Sequence, residues 1–352
     1  MNDGVFVVIV TYGNRFHLLK QAIDSSIREG VHKIIVVDNH SEVESRNKLM
    51  EYEKSLNGKI KVLYLDDNYG SAGGFKRGLE TAYNDPECEF ILLLDDDNEI
   101  KRGAVSKLFL TYSKVLEKLG TEKFVLLAFR PVTDNYTKLL VRFRGKRFFV
   151  NLINPLYDTY KGFHITNLLF LPIRQKIKRD SKDMFYKGYQ NDALFELDRG
   201  SYSGLFFSKR IIRQIGFPNE KFYLYCDDLE YTLRMTKRFK YRIFVVLESE
   251  FIDLDVSYDV NSYGVKSMNP FKLYYSTRNA ISLEKQYLIK NKAIYNLNKY
   301  VLKFILKILH RLGYINSERY ELILKAIKDG EEGVLGKVNN DVIFKTKWDS
   351  MA

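Results

Sequence analysis

Three aspartates, Asp95-Asp96-Asp97, directly follow the apolar run Ile91-Leu92-Leu93-Leu94. A buried strand there delivers three carboxylates to one edge of a sheet. Adjacent like charges repel unless cations balance them, and an oxygen-rich site suits Mg²⁺ or Mn²⁺. In an extended segment Asp95 and Asp97 project to one side and Asp96 to the other. Mg²⁺ takes one or two protein carboxylates and completes its shell with phosphates and water. Asp95 and Asp97 are therefore the candidate ligands for a metal–diphosphate pair. The competing reading is a solvated acidic turn.

A second acidic group lies in Phe222-Tyr223-Leu224-Tyr225-Cys226-Asp227-Asp228-Leu229-Glu230-Tyr231, with Arg234 following. Asp227 and Glu230 have the spacing of a capping box, which leaves Asp228 for chemistry. Aromatic side chains before it suit stacking on a sugar, and a carboxylate so placed can act as a general base. A third feature is Asn68-Tyr69-Gly70-Ser71-Ala72-Gly73-Gly74-Phe75-Lys76-Arg77-Gly78. Small residues opening a helix let backbone N–H groups approach phosphate or sugar. The segment lacks the Gly-Lys-Ser/Thr end of a Walker loop. A plain turn with tight helix packing explains it equally well.

The elements that must position these groups alternate strand and helix. Val5–Val10, Ile34–Val37, Lys61–Leu65, Phe90–Leu94 and Phe124–Phe129 read as strands. Arg15–Glu29, Glu42–Leu56, Gly73–Tyr83 and Gly103–Leu119 read as helices. That order predicts an α/β fold with a mainly parallel sheet, covered on both faces. Ligands then bind outside the carboxyl ends of the strands. Those ends carry Thr11-Tyr12, Asp38-Asn39, Asp66-Asp67-Asn68 and the triplet. Residues 131–200 lose this rhythm and read as long loops and short strands. Phe206–Ile215 and Asp227–Lys237 read as helices, Tyr241–Leu247 as a strand, and Pro270–Leu312 as helical.

Composition narrows the partners. The 352 residues carry 56 Lys and Arg against 44 Asp and Glu, a net charge of +12. That surplus calls for an anionic partner. The two cysteines, Cys88 and Cys226, exclude a disulfide framework and a multi-cysteine zinc site, and fit a reducing compartment. The first residues lack the basic and apolar regions of a signal peptide. No window approaches a membrane span of roughly 18 apolar residues. No nucleic-acid-binding motif with interleaved basic and aromatic residues is found.

Taken together, these residues resemble the inverting nucleotide-sugar glycosyltransferases of family 2, with the GT-A fold, and most nearly their galactofuranosyl- and rhamnosyltransferase branches. The matching stretches are Val7–Tyr12, Val36–Asn39, Asn68–Phe75, Leu93–Asp97 and Tyr225–Tyr231, with Tyr274-Tyr275-Ser276-Thr277-Arg278-Asn279 as a downstream element. The likeness covers roughly residues 4–285. It implies a Rossmann-like mixed sheet flanked by helices, with a C-terminal helical extension. Residues 1–130 would form the donor-binding half, 131–268 the acceptor-binding and catalytic-base half, and 269–352 a basic helical region.

The resemblance also implies roles. Thr11, Tyr12, Asp38 and Asn39 match donor-binding positions, as do Asn68, Gly70, Gly73, Gly74, Arg77 and Asp96. Asp95 and Asp97 match the Asp-X-Asp pair that grips the donor diphosphate through Mn²⁺ or Mg²⁺. Asp228 matches the base that deprotonates the acceptor hydroxyl, with Tyr202, Tyr225, Asp227 and Glu230 around the acceptor. Many relatives carry a metal-ligating His downstream of the base. Here Glu230 to Pro270 contains none, which leaves Glu248, Glu250, Asp253 or Asp255 as substitutes, or no third ligand.

Leu297, Val301, Phe304, Ile305, Ile308 and Leu312 form one helical stripe, with Lys299, Lys303, Lys307 and Arg311 on another face. A basic amphipathic helix can lie in an anionic bilayer interface. It can equally pack on the rest of the chain or on a second copy. The expected protein is a cytoplasmic glycosyltransferase, peripheral on the cytosolic face of the plasma membrane. It would use UDP-galactofuranose, dTDP-rhamnose or another UDP-hexose and a saccharide or polyprenyl-diphosphate-linked acceptor, in bacterial surface polysaccharide synthesis. A homo-oligomer is compatible with the sequence. A nucleotidyltransferase is the rival enzyme class; it wants an early Gly-rich loop, of which Thr11-Tyr12-Gly13-Asn14-Arg15 is a poor version. A basic scaffold or nucleic-acid-binding protein is the non-enzymatic rival.

Overall fold

The computed structural model describes residues 2–131, 195–255, 268–289 and 291–339. The loops and short strands read over residues 131–200 lie mostly outside them, at residues 132–194. The described residues fall into two compact units. The first holds residues 2–131, 195–220 and 227–255, the second 221–226, 268–289 and 291–339.

The first unit opens with β1 (Asn2–Thr11), α1 (Phe16–Arg28), β2 (Val31–Asp38), α2 (Val43–Ser55), β3 (Ile60–Tyr64) and α3 (Gly70–Asn84). It continues with β4 (Phe90–Asp95), β5 (Asn98–Ile100), α4 (Ala104–Leu119) and β6 (Phe124–Phe129). After residue 194 come β7 (Phe195–Leu197), β8 (Leu205–Ser208), α5 (Asp227–Leu233) and β9 (Arg242–Asp253). Val5 through Ile9 in β1 are fully buried, as a central strand covered on both faces must be. The nine strands run in the order β3-β2-β1-β4-β8-β6-β9-β5, with β7 beside β9. β1, β2, β3 and β4 are mutually parallel, β8 runs antiparallel to β4 and β6, and β9 is parallel to β6. The sheet is therefore mixed.

Three local readings change. Leu205–Ser208 is a strand, where the sequence pattern predicts a helix over Phe206–Ile215. Its four residues are buried between β4 and β6, and a short apolar run cannot distinguish a core strand from a buried helix. Only Ile212–Ile215 of that stretch is α-helical. α3 begins at Gly70, not Gly73, so the glycine-rich segment is the first turn of a helix. β9 runs on to Asp253, six residues past the expected end at Leu247.

The second unit contains α6 (Pro270–Leu283), α7 (Lys292–Arg311) and α8 (Ser317–Glu332). Asn269, Asn291 and Asn316 cap their starts by accepting backbone N–H bonds. Tyr274, Tyr275, Ile281, Tyr295, Leu306, Ile323 and Ile327 form their common core. α8 carries no feature singled out in the sequence reading.

Candidate active site

Parallel pairing brings strand ends to one edge. Thr11 at the end of β1 pairs with Asp38 at the end of β2, and Val10 pairs with Asp95 at the end of β4. Asp96 and Asp97 form a turn between β4 and β5, and burial alternates through it. Asp96 is buried, whereas Asp95 and Asp97 are only partly so. Asp96 turns back into the fold. It accepts a hydrogen bond from Thr11 Oγ1 at 2.8 Å, and Arg15 Nε reaches its carboxylate at 3.0 Å. Arg15 Nη2 also pairs with Asp97 at 3.0 Å, and Nη1 with Asp255 at 3.3 Å. One guanidinium thus bridges three carboxylates.

Asp95 has the opposite environment. Among the described residues its carboxylate receives no hydrogen bond, and only its backbone N–H is used, donating to Ser203 Oγ at 3.4 Å. Burial raises its pKa to about 7, opposed by Arg130 and reinforced by Asp97, Asp96 and Asp228. Asp97 is also raised by burial, with Arg15 pulling against it. For each, burial outweighs the positive charge nearby, Arg130 at Asp95 and Arg15 at Asp97. Among the described residues no three His, Cys, Asp or Glu side chains gather as a metal cage. Asp95 and Asp97 are the two carboxylates of the triplet left partly exposed, the number Mg²⁺ takes from protein when phosphate and water complete its shell, and Arg15 already pairs with Asp97. Of the substitutes for the missing histidine, Glu248 and Glu250 pair with Lys107 at 3.1 Å and Lys101 at 2.6 Å. Asp253 and Asp255 stand beside the triplet instead, paired with Arg130 at 3.5 Å and Arg15 at 3.3 Å.

The other residues expected on the donor side form a hydrogen-bonded and packed scaffold. Asp38 is fully buried and accepts from Ser41 N at 2.8 Å and Arg46 Nε at 2.5 Å. Asn39 donates to Asn68 Oδ1 at 3.1 Å and to Gly70 O at 3.0 Å, and accepts from Tyr69 N at 2.9 Å. This network ties the end of β2 to the start of α3. Gly70 has φ +70°, a conformation that glycine adopts without strain. A Cβ on Gly74 would lie 2.6 Å from Val10 Cγ1, and one on Gly78 2.4 Å from Val8 Cγ1. Those glycines let α3 pack closely on β1. A Cβ on Gly73 would meet Tyr69 Cβ at 2.6 Å. Arg77 stacks on Tyr69 with 3.8 Å to the ring centroid and reaches Glu220 at 3.4 Å. Tyr12 is half exposed, with Arg15 over its ring at 5.4 Å.

The second acidic group lies at the start of α5. Asp227 is buried and accepts from Ser71 Oγ at 2.7 Å. Asp228 is partly exposed, and its Oδ1 accepts from Leu229 N at 2.8 Å. Burial raises the pKa of both carboxyls; each also feels neighbouring charge, Asp227 from Asp228 and Asp95, and Asp228 from Arg130 and Arg199 in the opposite sense. Tyr202 is buried against Phe75, with ring centroids 4.3 Å apart. Its hydroxyl has no partner among the described residues, although Asp227 and Asp228 act on it electrostatically. Glu230 is buried and pairs with Arg234 at 2.8 Å.

Tyr225 belongs to the second unit. Tyr223, Tyr225 and Cys226 have φ of +63°, +62° and +62°, costly for residues with side chains. Asn279 holds this turn. Its Nδ2 donates to the carbonyls of Phe222, Leu224 and Tyr225 at 2.8, 2.9 and 2.8 Å. Arg278, fully buried between Tyr274 and Tyr275, donates to Phe222 O at 3.3 Å and Gly336 O at 2.8 Å.

Sequence reasoning passes over several of these groups. Arg15 is read only as part of a poor phosphate loop, Ser203 only as part of a segment that lines the acceptor pocket or forms a structural turn, and Arg130, Ser71 and Asn98 are given no role. Arg130 had one signal: it is the first charged residue after the buried strand β6. Ser203 hydrogen-bonds Asn98, and Asn98 donates to Asp253 at 3.0 Å, links no short-range pattern reveals.

Residues 6–116 match the family model Glycosyl transferase family 2. The match takes in Thr11, Asp38, the start of α3 and the triplet, and ends before Asp228. No curated protein matches the chain by sequence. GalNAc-T7, crystallised with UDP, GalNAc and Mn²⁺, is similar in structure, with TM-score 0.54 at 12% identity, over 94% of this chain and 56% of that chain. S. aureus TarS gives TM-score 0.47 at 13% identity, over 94% and 49%. TarS 1-349 in complex with UDP gives 0.46 at 13%, over 94% and 80%. The chain thus spans about half the length of GalNAc-T7 and of TarS. The fold is a mixed α/β sheet of GT-A type with helices on its flanks and a helical C-terminal region.

Proposed function

We propose that this protein is an inverting, divalent-metal-dependent glycosyltransferase that moves a sugar from a nucleotide sugar to a hydroxyl of a saccharide or lipid-linked acceptor. One observation carries the reading. A single sheet edge presents Thr11, Asp38 and Asp95 in adjacent register, and Asp95 stands within electrostatic range of Asp228. The family match over residues 6–116 supports the reaction class, and the UDP and Mn²⁺ bound to GalNAc-T7 support a UDP-linked donor.

In this reading Asp228 takes the proton from the acceptor hydroxyl. The oxygen attacks the anomeric carbon as the bond to the diphosphate breaks, giving inversion in one displacement. Burial suits Asp228 to this work, because a raised pKa makes a carboxylate a better base. Asp227, held by Ser71, fixes the start of α5. Tyr202, buried against Phe75, lies beneath the acceptor side of the site, where Asp227 and Asp228 act on its hydroxyl. Arg15 holds Asp96 and Asp97 in place. A cation held by Asp95 and Asp97 would supply positive charge to the departing diphosphate. UDP-galactofuranose is the favoured donor, with dTDP-rhamnose and other UDP-hexoses behind it. A polyprenyl-diphosphate-linked acceptor in surface polysaccharide synthesis fits the basic chain.

A thermal-shift screen of UDP, dTDP, ADP and GDP with and without Mn²⁺ tests the reading. Ligand that binds only the folded state raises Tm by mass action. The reading expects a metal-dependent rise with UDP. No rise with any nucleotide, with or without metal, refutes it.

A further inference from the structure

Helix α7 has three distinct faces. Tyr295, Leu302, Leu306 and Leu309 pack into the core of the second unit. A second apolar row is left in solvent: Leu297 is 61% exposed, Phe304 63% and Leu312 75%, with Tyr300 and Ile308 also exposed. On the helical wheel this row sits between the buried face and a basic edge of Lys303, Lys307 and Arg311, all exposed and without ion pairs among the described residues. The twenty residues of α7 contain no Asp or Glu. Core packing accounts for the first face and not for the second. A contiguous exposed apolar row on a folded surface marks a contact site.

We propose that this face of α7 docks on an anionic lipid surface, lying flat at the interface. Leu297, Phe304, Ile308 and Leu312 would enter the acyl boundary, and Lys303, Lys307 and Arg311 would meet the headgroup phosphates. Charge selects this occupant. A second copy of the same face would set one basic edge near another with no acidic side chain on the helix to answer it. A bilayer bearing acidic headgroups answers it directly. No helix among the described residues is long and apolar enough to cross a membrane, so the contact is interfacial. The inference rests on α7 alone and stands apart from the donor chemistry proposed above.

The test is sedimentation of the full chain with phosphatidylcholine vesicles containing about a quarter phosphatidylglycerol, and with phosphatidylcholine vesicles alone. Wild-type protein is expected on the anionic vesicles only. Lys303→Glu with Lys307→Glu should bind on the order of a hundredfold more weakly, since two charges are reversed and the net charge falls by four. Phe304→Ser with Ile308→Ser should also release the protein. If that pair loses its helical circular dichroism, a salt titration of wild type decides: release by about 0.5 M salt supports the proposal, and salt-independent binding overturns it. Equal binding by the charge-reversed variant also overturns it. So does a wild-type dimer in light scattering that Phe304→Ser with Ile308→Ser converts to monomer. Nucleotide-induced thermal shifts are read separately, so failure here leaves the donor reading untouched.

Discussion

The Ser71 hydroxyl donates a 2.7 Å hydrogen bond to the carboxylate of Asp227, 156 residues away. This bond joins the first turn of α3 to the first turn of α5. The glycine-rich segment and the second acidic group, separate in sequence, thereby become one locus. The donor also restrains the proton affinity that burial gives Asp227. Ser71→Ala should therefore cost about 1–2 kcal/mol in urea unfolding, as the loss of one buried hydrogen bond to a carboxyl does. Ser71→Thr, which keeps the hydroxyl, should recover part of the loss.

The buried carboxyls set a pH dependence of stability with an unusual sign. Burial raises Asp228 from 3.8 to about 6 in the folded state. The folded protein then binds a proton that the unfolded chain has released. That stability is complete below the unfolded value and is lost as pH rises through the folded one. Between about pH 4 and about pH 6, the interval between the unfolded and folded values, the Tm of wild type should fall relative to that of Asp228→Asn, with little further divergence above about pH 7. At the upper end the variant should be the more stable by several degrees, roughly 1 kcal/mol, the usual trade between stability and a strained site. Parallel slopes for the two proteins would contradict the raised value.

Gly74 and Gly78 act through packing. Alanine at either drives a methyl into Val10 or Val8, within a β1–α3 interface that has no space. Each substitution should cost about 1–3 kcal/mol in chemical denaturation with no ligand present. A glycine needed only to admit a phosphate would instead leave the apo protein unchanged.

Asn279 should be the most sensitive residue of the second unit. One amide nitrogen, with two protons, is shared among three carbonyls of a turn that holds Tyr223, Tyr225 and Cys226 at positive φ. Asn279→Ala removes the side-chain donor of the Leu224 and Tyr225 carbonyls, while Phe222 O keeps Arg278 and Leu224 N, at a cost of about 2 kcal/mol. Asn279→Asp keeps the size but turns donor into acceptor, so it should be no better. Hydrogen exchange of the 221–226 amides gives the local readout.

The sheet from β1 to α4 was legible because its elements follow the alternation of buried β-branched runs and amphipathic helices. The placement of Asp95, Asp96 and Asp97 at a sheet edge was legible because they directly follow the buried run Ile91–Leu94. Leu205–Ser208 was not: four apolar residues carry no period, and only pairing with β4 and β6 makes them a strand. The glycines of α3 look the same whether they admit a phosphate or a valine. Arg15 and Arg130 escaped because an arginine's value lies in which distant carboxylates it meets. Arg15 reaches Asp255 across 240 residues, and no local pattern encodes that.

The account turns on Asp228 as the base. Release of nucleoside diphosphate from UDP-galactofuranose or another nucleotide sugar with acceptor present should be measured for wild type and Asp228→Asn, beside UDP–Mn²⁺ binding by thermal shift. The account predicts a fall in turnover on the order of 10²–10⁴ with binding of UDP unchanged. Turnover by Asp228→Asn at the wild-type rate would contradict it.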